Sequence, residues 1–324
     1  MSSKNLDVLV CAFGKEVHEG LTSFPKYLSS KFFYDELGDK LFQQIMDLPE
    51  YYLTNAEYDI FQLHKTDILK SFDADKEGFD LVELGAGDGK KTKVLLRELL
   101  KEEHPVTYHP IDISKHAIDG LVENLNQELS KLDVEGQIGE YFEVLDRLKH
   151  ISDRKKVIMV LGSNIGNLLH PRAIQFLKKL NTVMHSDDLI FMGFDQKKHP
   201  QKVLDAYNDK SGVTAAFNKN VLARINKELG GNFDLEAFIH WEVYDPESGT
   251  AKSYLVSTKK QTVDIDCLSI QVHFEAWESI HTEISQKYDD DTVKWLAKES
   301  GLEISESFTD ENKYYKNYVF KKTE

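Results

Sequence analysis

The chain has 324 residues, 41% of them hydrophobic and 29% charged, with a formal net charge of −15. That length and balance suit a soluble chain with one large domain or two moderate ones. The acid excess argues against nucleic acid or an anionic membrane as the main partner, because both need a basic face, and no apolar run is long enough to span a bilayer.

The N-terminal stretch, Met1-Ser2-Ser3-Lys4-Asn5-Leu6-Asp7, lacks the apolar core of a signal peptide. The only cysteines, Cys11 and Cys267, have no partner spacing and read as reduced thiols, which fits a cytoplasmic chain. The 12 histidines are scattered without an HxxxH pair, so no metal is expected. The first ~60 residues read as helical, with aromatic residues at turns. These turns are Phe32-Phe33-Tyr34-Asp35 and Leu48-Pro49-Glu50-Tyr51-Tyr52. Thr54 or Asn55 is the expected cap of the next helix, with Glu57 in its first turn.

From Phe79 the pattern becomes strand–helix alternation. Strands are expected at Phe79–Leu84, Val106–Ile111, Val134–Ile138, Lys156–Leu161 and Asp188–Met192, and helices at Lys91–Lys101, Lys115–Lys131, Glu140–Leu148 and Pro171–Met184. Continuous apolar runs such as Val157-Ile158-Met159-Val160-Leu161 fit strands buried on both faces of a doubly wound α/β sheet. The alternation then stops. Gln201–Leu229 reads as two helices, and Phe238–Phe274 as a β-meander with a turn at Pro246-Glu247-Ser248-Gly249. A last helix, Asp290–Ser300, is closed by Gly301, and two strands follow, Leu302–Phe308 and Tyr315–Lys321. The fold class is therefore α/β, a doubly wound sheet with a terminal antiparallel hairpin, an arrangement that resembles the Rossmann-like sheet of class I S-adenosylmethionine-dependent methyltransferases. A second, mixed α+β substrate-binding domain accompanies it. The expected boundaries are 60–197 with 287–324 for the sheet domain, and 1–59 with 198–286 for the second. A ligand crevice is expected between them, over the carboxyl ends of the strands.

The most informative segment is Leu81-Val82-Glu83-Leu84-Gly85-Ala86-Gly87-Asp88-Gly89, a strand running into a Gly-x-Gly-x-Gly turn. Glycines there let the backbone approach a ligand where a Cβ would clash. The turn carries an Asp and no phosphate-binding Gly-Lys-Ser/Thr, which suits a ligand with a cationic centre and an amino-acid tail, such as S-adenosylmethionine (SAM). A nicotinamide site, or a tight turn with no ligand, would use the same glycines. Asp112, at the end of the second strand, is placed to accept both ribose hydroxyls; its other reading is a helix cap. Glu140 and Tyr141 after the third strand suit adenine, or else a capping acid and a core aromatic. The fourth strand delivers Gly162-Ser163-Asn164-Ile165-Gly166-Asn167 to the catalytic edge, where Asn167 reads as a ligand contact or as part of a self-stabilised turn.

Over nearly its whole length the sequence resembles the histidine-specific Nα-methyltransferases of ergothioneine biosynthesis, whose product is trimethylhistidine (hercynine). The resemblance rests on Phe33-Tyr34-Asp35, Leu48-Pro49-Glu50-Tyr51-Tyr52, Glu83-Leu84-Gly85-Ala86-Gly87, Lys91-Thr92 and Pro110-Ile111-Asp112-Ile113-Ser114. It continues through Leu161-Gly162-Ser163-Asn164-Ile165-Gly166-Asn167, Gly212-Val213-Thr214-Ala215-Ala216-Phe217-Asn218 and Glu283-Ile284-Ser285-Gln286-Lys287-Tyr288. Several of these motifs lie outside the SAM fold that all such enzymes share.

The resemblance implies that Gly85, Lys91, Asp112, Glu140 and Tyr141 line the SAM site and that Tyr34 closes over it. It implies that Asn167 and Tyr207 hold the substrate carboxylate, that Tyr51 and Asn167 orient the α-amine, and that Glu283 and Ser285 grip the imidazole. A neutral imidazole has one donor and one acceptor, so a carboxylate and a hydroxyl satisfy both edges. An i, i+2 pair on a strand shares a face. Without the resemblance, Glu283 reads as a surface residue, Ser285 as part of a turn, and Tyr51 and Tyr207 as core or rim aromatics. The sequence departs from the family pattern at Glu140, where Asp is usual, and at Ser253, where a bulky Met stands beside the substrate ring. The expected protein is a monomer that uses SAM, no metal, and a small amino-acid substrate. Another amino acid as substrate, a SAM-binding regulator without turnover, and a nicotinamide oxidoreductase are the competing readings.

Overall fold

The structure, a computed structural model, describes residues 12–72, 78–151 and 154–323. The N-terminal residues read for a signal peptide and Cys11 lie outside the described residues, and Cys267 is an unbridged, half-buried thiol. The chain opens with α1 (Ala12–Thr22), β1 (Lys26–Tyr27), α2 (Glu36–Met46) and α3 (Tyr52–Ser71). Then come β2 (Phe79–Leu84), α4 (Thr92–Lys101), β3 (Val106–Asp112), α5 (Lys115–Glu128), β4 (Asp133–Val134), β5 (Gln137–Ile138) and α6 (Tyr141–Ile151). Next are β6 (Lys156–Val160), α7 (His170–Val183), β7 (Leu189–Asp195), α8 (Pro200–Tyr207) and α9 (Val213–Leu229). The chain continues with β8 (Phe238–Asp245), β9 (Thr250–Ser257), β10 (Gln261–Ile265), β11 (Ile270–Phe274) and β12 (Ser279–Gln286). It closes with α10 (Asp290–Glu299), β13 (Leu302–Thr309) and β14 (Tyr315–Lys322).

These elements form two compact units. One comprises residues 53–197 and 286–324, the other 1–52 and 198–285. The first division falls at Tyr52/Leu53, ahead of the 59/60 expected from the order of elements, because the helix that opens this unit begins at Tyr52. Thr54 and Asn55, the expected caps, therefore lie inside α3. The buried stripe Leu53, Ala56, Ile60 and Phe61 starts ahead of them.

The sheet unit has strand order β13-β14-β7-β6-β2-β3-β4, with β5 also on β3. The strands from β7 to β4 run parallel, and β14 lies antiparallel between β7 and β13. This is the expected Rossmann-like sheet with its terminal hairpin. Alternate residues of each strand face opposite layers. Leu81, Val157 and Phe191 pack with residues of α3, α4 and α5. Val82, Ile158 and Ile190 pack with residues of α6, α7 and α10. One expected strand is broken: Val134–Ile138 is two short pieces with Gly136 between them. A Cβ at Gly136 would come within 2.5 Å of Ile118 on α5, so the chain there hugs that helix instead of continuing the ladder.

The other unit holds a four-stranded sheet, β1-β12-β9-β8, and a separate ribbon, β10-β11. The meander expected over Phe238–Phe274 is therefore divided. β12 takes the place beside β9 that β10 would occupy in a meander, and β10 pairs with β11 alone. Its core packs α1 and α9 against the sheet through Val17, Leu21, Phe217, Val221, Leu255 and Ile280.

Candidate active site

In the sheet unit the glycine turn has the backbone its sequence demands. Gly85, Gly87 and Gly89 all have left-handed φ, at +72°, +55° and +65°. A Cβ at Gly85 would stand 2.8 Å from the Tyr141 hydroxyl, whereas one at Gly87 would meet nothing within 4 Å. The backbone at Gly87 is thus open to a ligand.

Glu83, just before the turn, is buried and accepts hydrogen bonds from Thr92 Oγ1 at 2.7 Å and Tyr108 Oη at 2.5 Å. Burial pushes its carboxyl up to about 7, although the two hydroxyls and Lys91 pull the other way.

Glu57 is the member of this region that sequence reasoning missed. It is 0% exposed and accepts from three directions. Its partners are Lys91 Nζ, the Gly162 N–H at 2.8 Å and the Asn317 amide at 3.0 Å. One buried carboxylate so ties the lysine after the glycine turn to the loop after β6 and to β14. Its signal was present: Glu57 sits one residue after Ala56 and three before Ile60, an acid on the apolar stripe of α3. A buried charge without a partner is too costly to keep there.

At the end of β3, Asp112 Oδ1 accepts the Ser114 N–H at 2.9 Å, and Ser114 itself caps α5 through the Ala117 N–H. The capping role weighed for Asp112 thus belongs to Ser114. Asp112 Oδ2 has no hydrogen-bond partner among the described residues, which fits an acceptor reserved for a ribose-bearing ligand. Tyr141 stands close by. Burial first, then the Asp112 and Glu140 carboxylates, push its phenol up to about 12. The Glu140 side chain is exposed.

The loop after β6 is strained. Gly162 and Ser163 both adopt left-handed φ, at +70° and +56°. Ser163 is held there because its hydroxyl accepts the Asp195 N–H at 3.1 Å. A 3₁₀ turn, Asn164–Asn167, follows and presents Asn167 exposed, with no hydrogen bond from its amide among the described residues. Gly85, Lys91, Asp112, Glu140, Tyr141 and Asn167 therefore all lie at the carboxyl edge of the parallel strands, where open α/β sheets bind ligands.

The other unit gathers the remaining candidates. Tyr34 packs edge-on against Phe42 and Phe217, with ring centroids 5.5 and 5.4 Å away. Tyr51 packs against Phe42 and against Tyr207, the latter at 6.2 Å. The Tyr207 hydroxyl shares a 2.7 Å hydrogen bond with Ser285 Oγ, and both residues are buried. Tyr34 is 43% exposed, yet its phenol lies deep enough that burial pushes it well above the ordinary tyrosine value. The Glu283 carboxylate and the phenols of Tyr51 and Tyr207 add to the rise. The structure thus brings Tyr34, Tyr51, Tyr207, Glu283 and Ser285 into one cluster. Tyr34, assigned by the resemblance to the SAM site, keeps company here with the residues assigned to the substrate.

Two buried carboxylates of the same unit were not foreseen. Asp209, just after α8, accepts the backbone N–H groups of Val213 and Thr214 at 3.0 and 2.8 Å and the Ser211 hydroxyl at 2.5 Å. Burial opposes its ionisation, but those bonds outweigh it and bring its pKa to about 2. Glu242 is buried on β8 and accepts the Ser253 hydroxyl at 2.6 Å across the β8–β9 pair. Neither carries a motif that sequence alone marks out, since each depends on a neighbour placed by the fold.

Among the described residues, no group of three His, Cys, Asp or Glu is placed to hold a metal ion, and no helix is long and apolar enough to cross a membrane. A family model described as histidine-specific methyltransferase, SAM-dependent, matches residues 13–322. The histidine N-alpha-methyltransferase of Mycolicibacterium smegmatis is 34% identical, over 92% of this chain and 91% of that protein. The protein of the same name from Mycobacterium tuberculosis is 34% identical, over 93% of this chain and 92% of its own length. Ergothioneine biosynthesis protein 1 of Neurospora crassa is 30% identical, over 90% of this chain but 32% of that protein.

Proposed function

The chain belongs to the histidine-specific, SAM-dependent methyltransferase family, and from that premise we propose that it methylates the α-amine of L-histidine, up to trimethylhistidine. The observation that carries the substrate half of this reading is the Tyr207–Ser285 hydrogen bond within the cluster of Tyr34, Tyr51 and Glu283. Carboxylate, serine hydroxyl and phenols in one place match the donors and acceptors of an imidazole and an amino-acid backbone. Gly85, Lys91, Asp112, Glu140 and Tyr141 would hold SAM, with Tyr34 closing on it.

The sulfonium of SAM supplies the activation for an in-line displacement by the amine, so no metal is needed in this reaction. The chain's own task is positioning. Glu283 and Ser285 would fix the imidazole. Tyr207 and Asn167 would hold the carboxylate. Tyr51 and Asn167 would orient the amine nitrogen. An α-amine has a reference pKa near ~8, so a fraction is already deprotonated at neutral pH and no strong base is required. The net charge of −15 supports a small-molecule substrate over nucleic acid or an anionic membrane. In this reading the chain works as a cytoplasmic monomer.

Ser253 supports a second reading, in which the same chemistry acts on another amino acid or small amine. Its hydroxyl is turned to Glu242, so a small polar pair stands where the family pattern puts a bulky Met beside the ring. The test is calorimetric titration of L-histidine with S-adenosylhomocysteine present, followed by mass spectrometry of a SAM turnover. Mass gains of one to three methyl groups on histidine establish the first reading. Binding and turnover only with other members of an amino-acid panel establish the second.

A further inference from the structure

His240 on β8 and Asn218 on α9 form a polar relay to which the proposed reaction assigns no part. Asn218 is 2% exposed. Its Nδ2 lies 2.8 Å from His240 Nδ1 and 3.3 Å from the Tyr254 carbonyl oxygen. That pair fixes the amide: reversed, it would set its own oxygen against a carbonyl oxygen. Asn218 Nδ2 therefore donates to His240 Nδ1, and the ring proton sits on Nε2. Nε2–H donates to the carbonyl of Tyr207 at 2.9 Å. Tyr207 is the last residue of α8, where backbone carbonyls look beyond the helix for donors. At its other end the Tyr207 phenol meets Ser285 Oγ.

We propose that His240, held by Asn218 as its neutral Nε2–H tautomer, is a positioning residue that fixes the last turn of α8 and so sets the Tyr207 phenol against Ser285. The proposal rests on the reading of Tyr207 and Ser285 as substrate contacts. His240 itself touches no reacting atom.

Its surroundings keep the ring neutral. Burial is the largest influence and lowers the pKa, and Lys219 on α9 lowers it too. The Tyr207 carbonyl and the Asp209 carboxylate after α8 pull the other way without prevailing. From β9, Tyr254 contributes its half-buried side chain and a carbonyl already bonded to Asn218. A protonated ring would aim an Nδ1–H at the Asn218 Nδ2, two donors face to face. Relief requires either breaking that contact or reversing the amide at the expense of its bond to Tyr254. Reversal would give Oδ1, which has no partner among the described residues, the ring Nδ1–H, but it would set that oxygen against the Tyr254 carbonyl and move Nδ2 to a buried place that offers it no acceptor.

The test combines side-chain nitrogen NMR on histidine-labelled protein with calorimetry of L-histidine and of S-adenosylhomocysteine. The NMR result expected is an Nε2-protonated, non-titrating His240 between pH 6.5 and 8. His240→Ala is expected to weaken L-histidine binding about tenfold, the worth of one buried hydrogen bond, and to leave S-adenosylhomocysteine binding within about twofold. His240→Gln keeps a neutral donor and is expected to recover most of the loss. An Nδ1-protonated or charged ring in the wild type overturns the proposal. So does L-histidine affinity unchanged in His240→Ala. Should His240→Ala not fold, the wild-type tautomer and His240→Gln still decide. If the wild type binds no histidine at all, the substrate reading fails, and the tautomer alone then decides whether His240 holds Tyr207.

Discussion

The two units place their candidate residues by different means. In the sheet unit each candidate follows the carboxyl end of a parallel strand: Gly85 and Lys91 after β2, Asp112 ending β3, Glu140 and Tyr141 after β5, Asn167 after β6. The strand brings the residue to the edge, and local sequence supplies the turn. In the other unit, Tyr34 and Tyr51 come from the first stretch of chain, Tyr207 from the end of α8, and Glu283 with Ser285 from β12. No local pattern joins them; only the tertiary fold does. A site of the first kind rests on backbone conformation and on one buried brace. A site of the second rests on side-chain hydrogen bonds between distant segments. Substitutions in the two should therefore fail differently.

The brace gives the largest expected effect. Glu57→Ala removes a fully buried carboxylate and takes its acceptor oxygens from the Lys91 ammonium, the Gly162 N–H and the buried Asn317 amide. Breaking one partner of a buried charge pair typically costs about 3–5 kcal/mol. Urea denaturation should show a loss of that order, with S-adenosylhomocysteine binding weakened as well. A loss under about 1 kcal/mol would mean that the turn, and not the brace, holds this site together.

Next comes Glu283→Ala, which separates recognition from stability. L-Histidine binding should fall about 100-fold, because an imidazole edge is left unpaired in a site built to bond it. Binding of S-adenosylhomocysteine should change by less than about twofold, since the residues proposed for it all belong to the sheet unit except Tyr34. Equal losses of both affinities would remove Glu283 from the substrate site. They would also undo the contrast drawn between the two units.

The contrast explains what was legible in the sequence. Phe79–Leu84 reads correctly as a strand because its apolar residues Phe79, Leu81, Val82 and Leu84 fall on both faces, as a strand buried throughout requires, while Asp80 and Glu83 are held by internal partners. The terminal hairpin is legible because Gly301, with φ +67°, stops α10 and two strand patterns follow it. The divided meander was not legible. The choice between β10 and β12 as the neighbour of β9 depends on pairing across the unit, and nothing in the β10 pattern shows it. The same holds for the site. The glycine turn states its own conformation, whereas Glu57, Asp209 and His240 acquire their roles from partners far away in sequence. Even the Thr54 or Asn55 cap failed for a tertiary reason, since burial of Leu53 and Ala56 extends α3 past it.

Acid sensitivity offers a smaller test, and both units share it. Asp209 in one unit and Asp289 in the other are helix-capping carboxylates brought to about 2. Burial opposes ionisation in each; hydrogen bonds to Ser211 and Thr214 overcome it for Asp209, and bonds to Thr292 and Lys197 for Asp289. A folded pKa below the unfolded value of ~3.9 means stability that is fully present above about pH 4 and lost as pH falls toward 2. For the buried Asp209 this amounts to about 2 kcal/mol. The difference in stability between wild type and Asp209→Ala should therefore be about 2 kcal/mol at pH 7 and shrink progressively below about pH 4. A difference independent of pH would show that Asp209 acts through packing and not through its charge.

Gly85→Ala is the smallest change and tests the sheet unit where its sequence is most explicit. A left-handed conformation costs a non-glycine residue about 1–2 kcal/mol. The new Cβ would also stand 2.8 Å from the Tyr141 hydroxyl. These two effects separate in a double mutant. Tyr141→Phe removes the oxygen that the Cβ meets and leaves the backbone strain untouched. If the contact dominates, S-adenosylhomocysteine affinity should drop about tenfold in Gly85→Ala and recover partly in the double mutant. If strain dominates, the double mutant should bind no better than Gly85→Ala. A fully additive pair would show that Gly85 serves the backbone alone, and that the glycine turn is as self-contained as its sequence makes it look. A coupled pair would place even this turn under the control of a residue delivered by the next-but-one strand. The difference between the two units would then be one of degree.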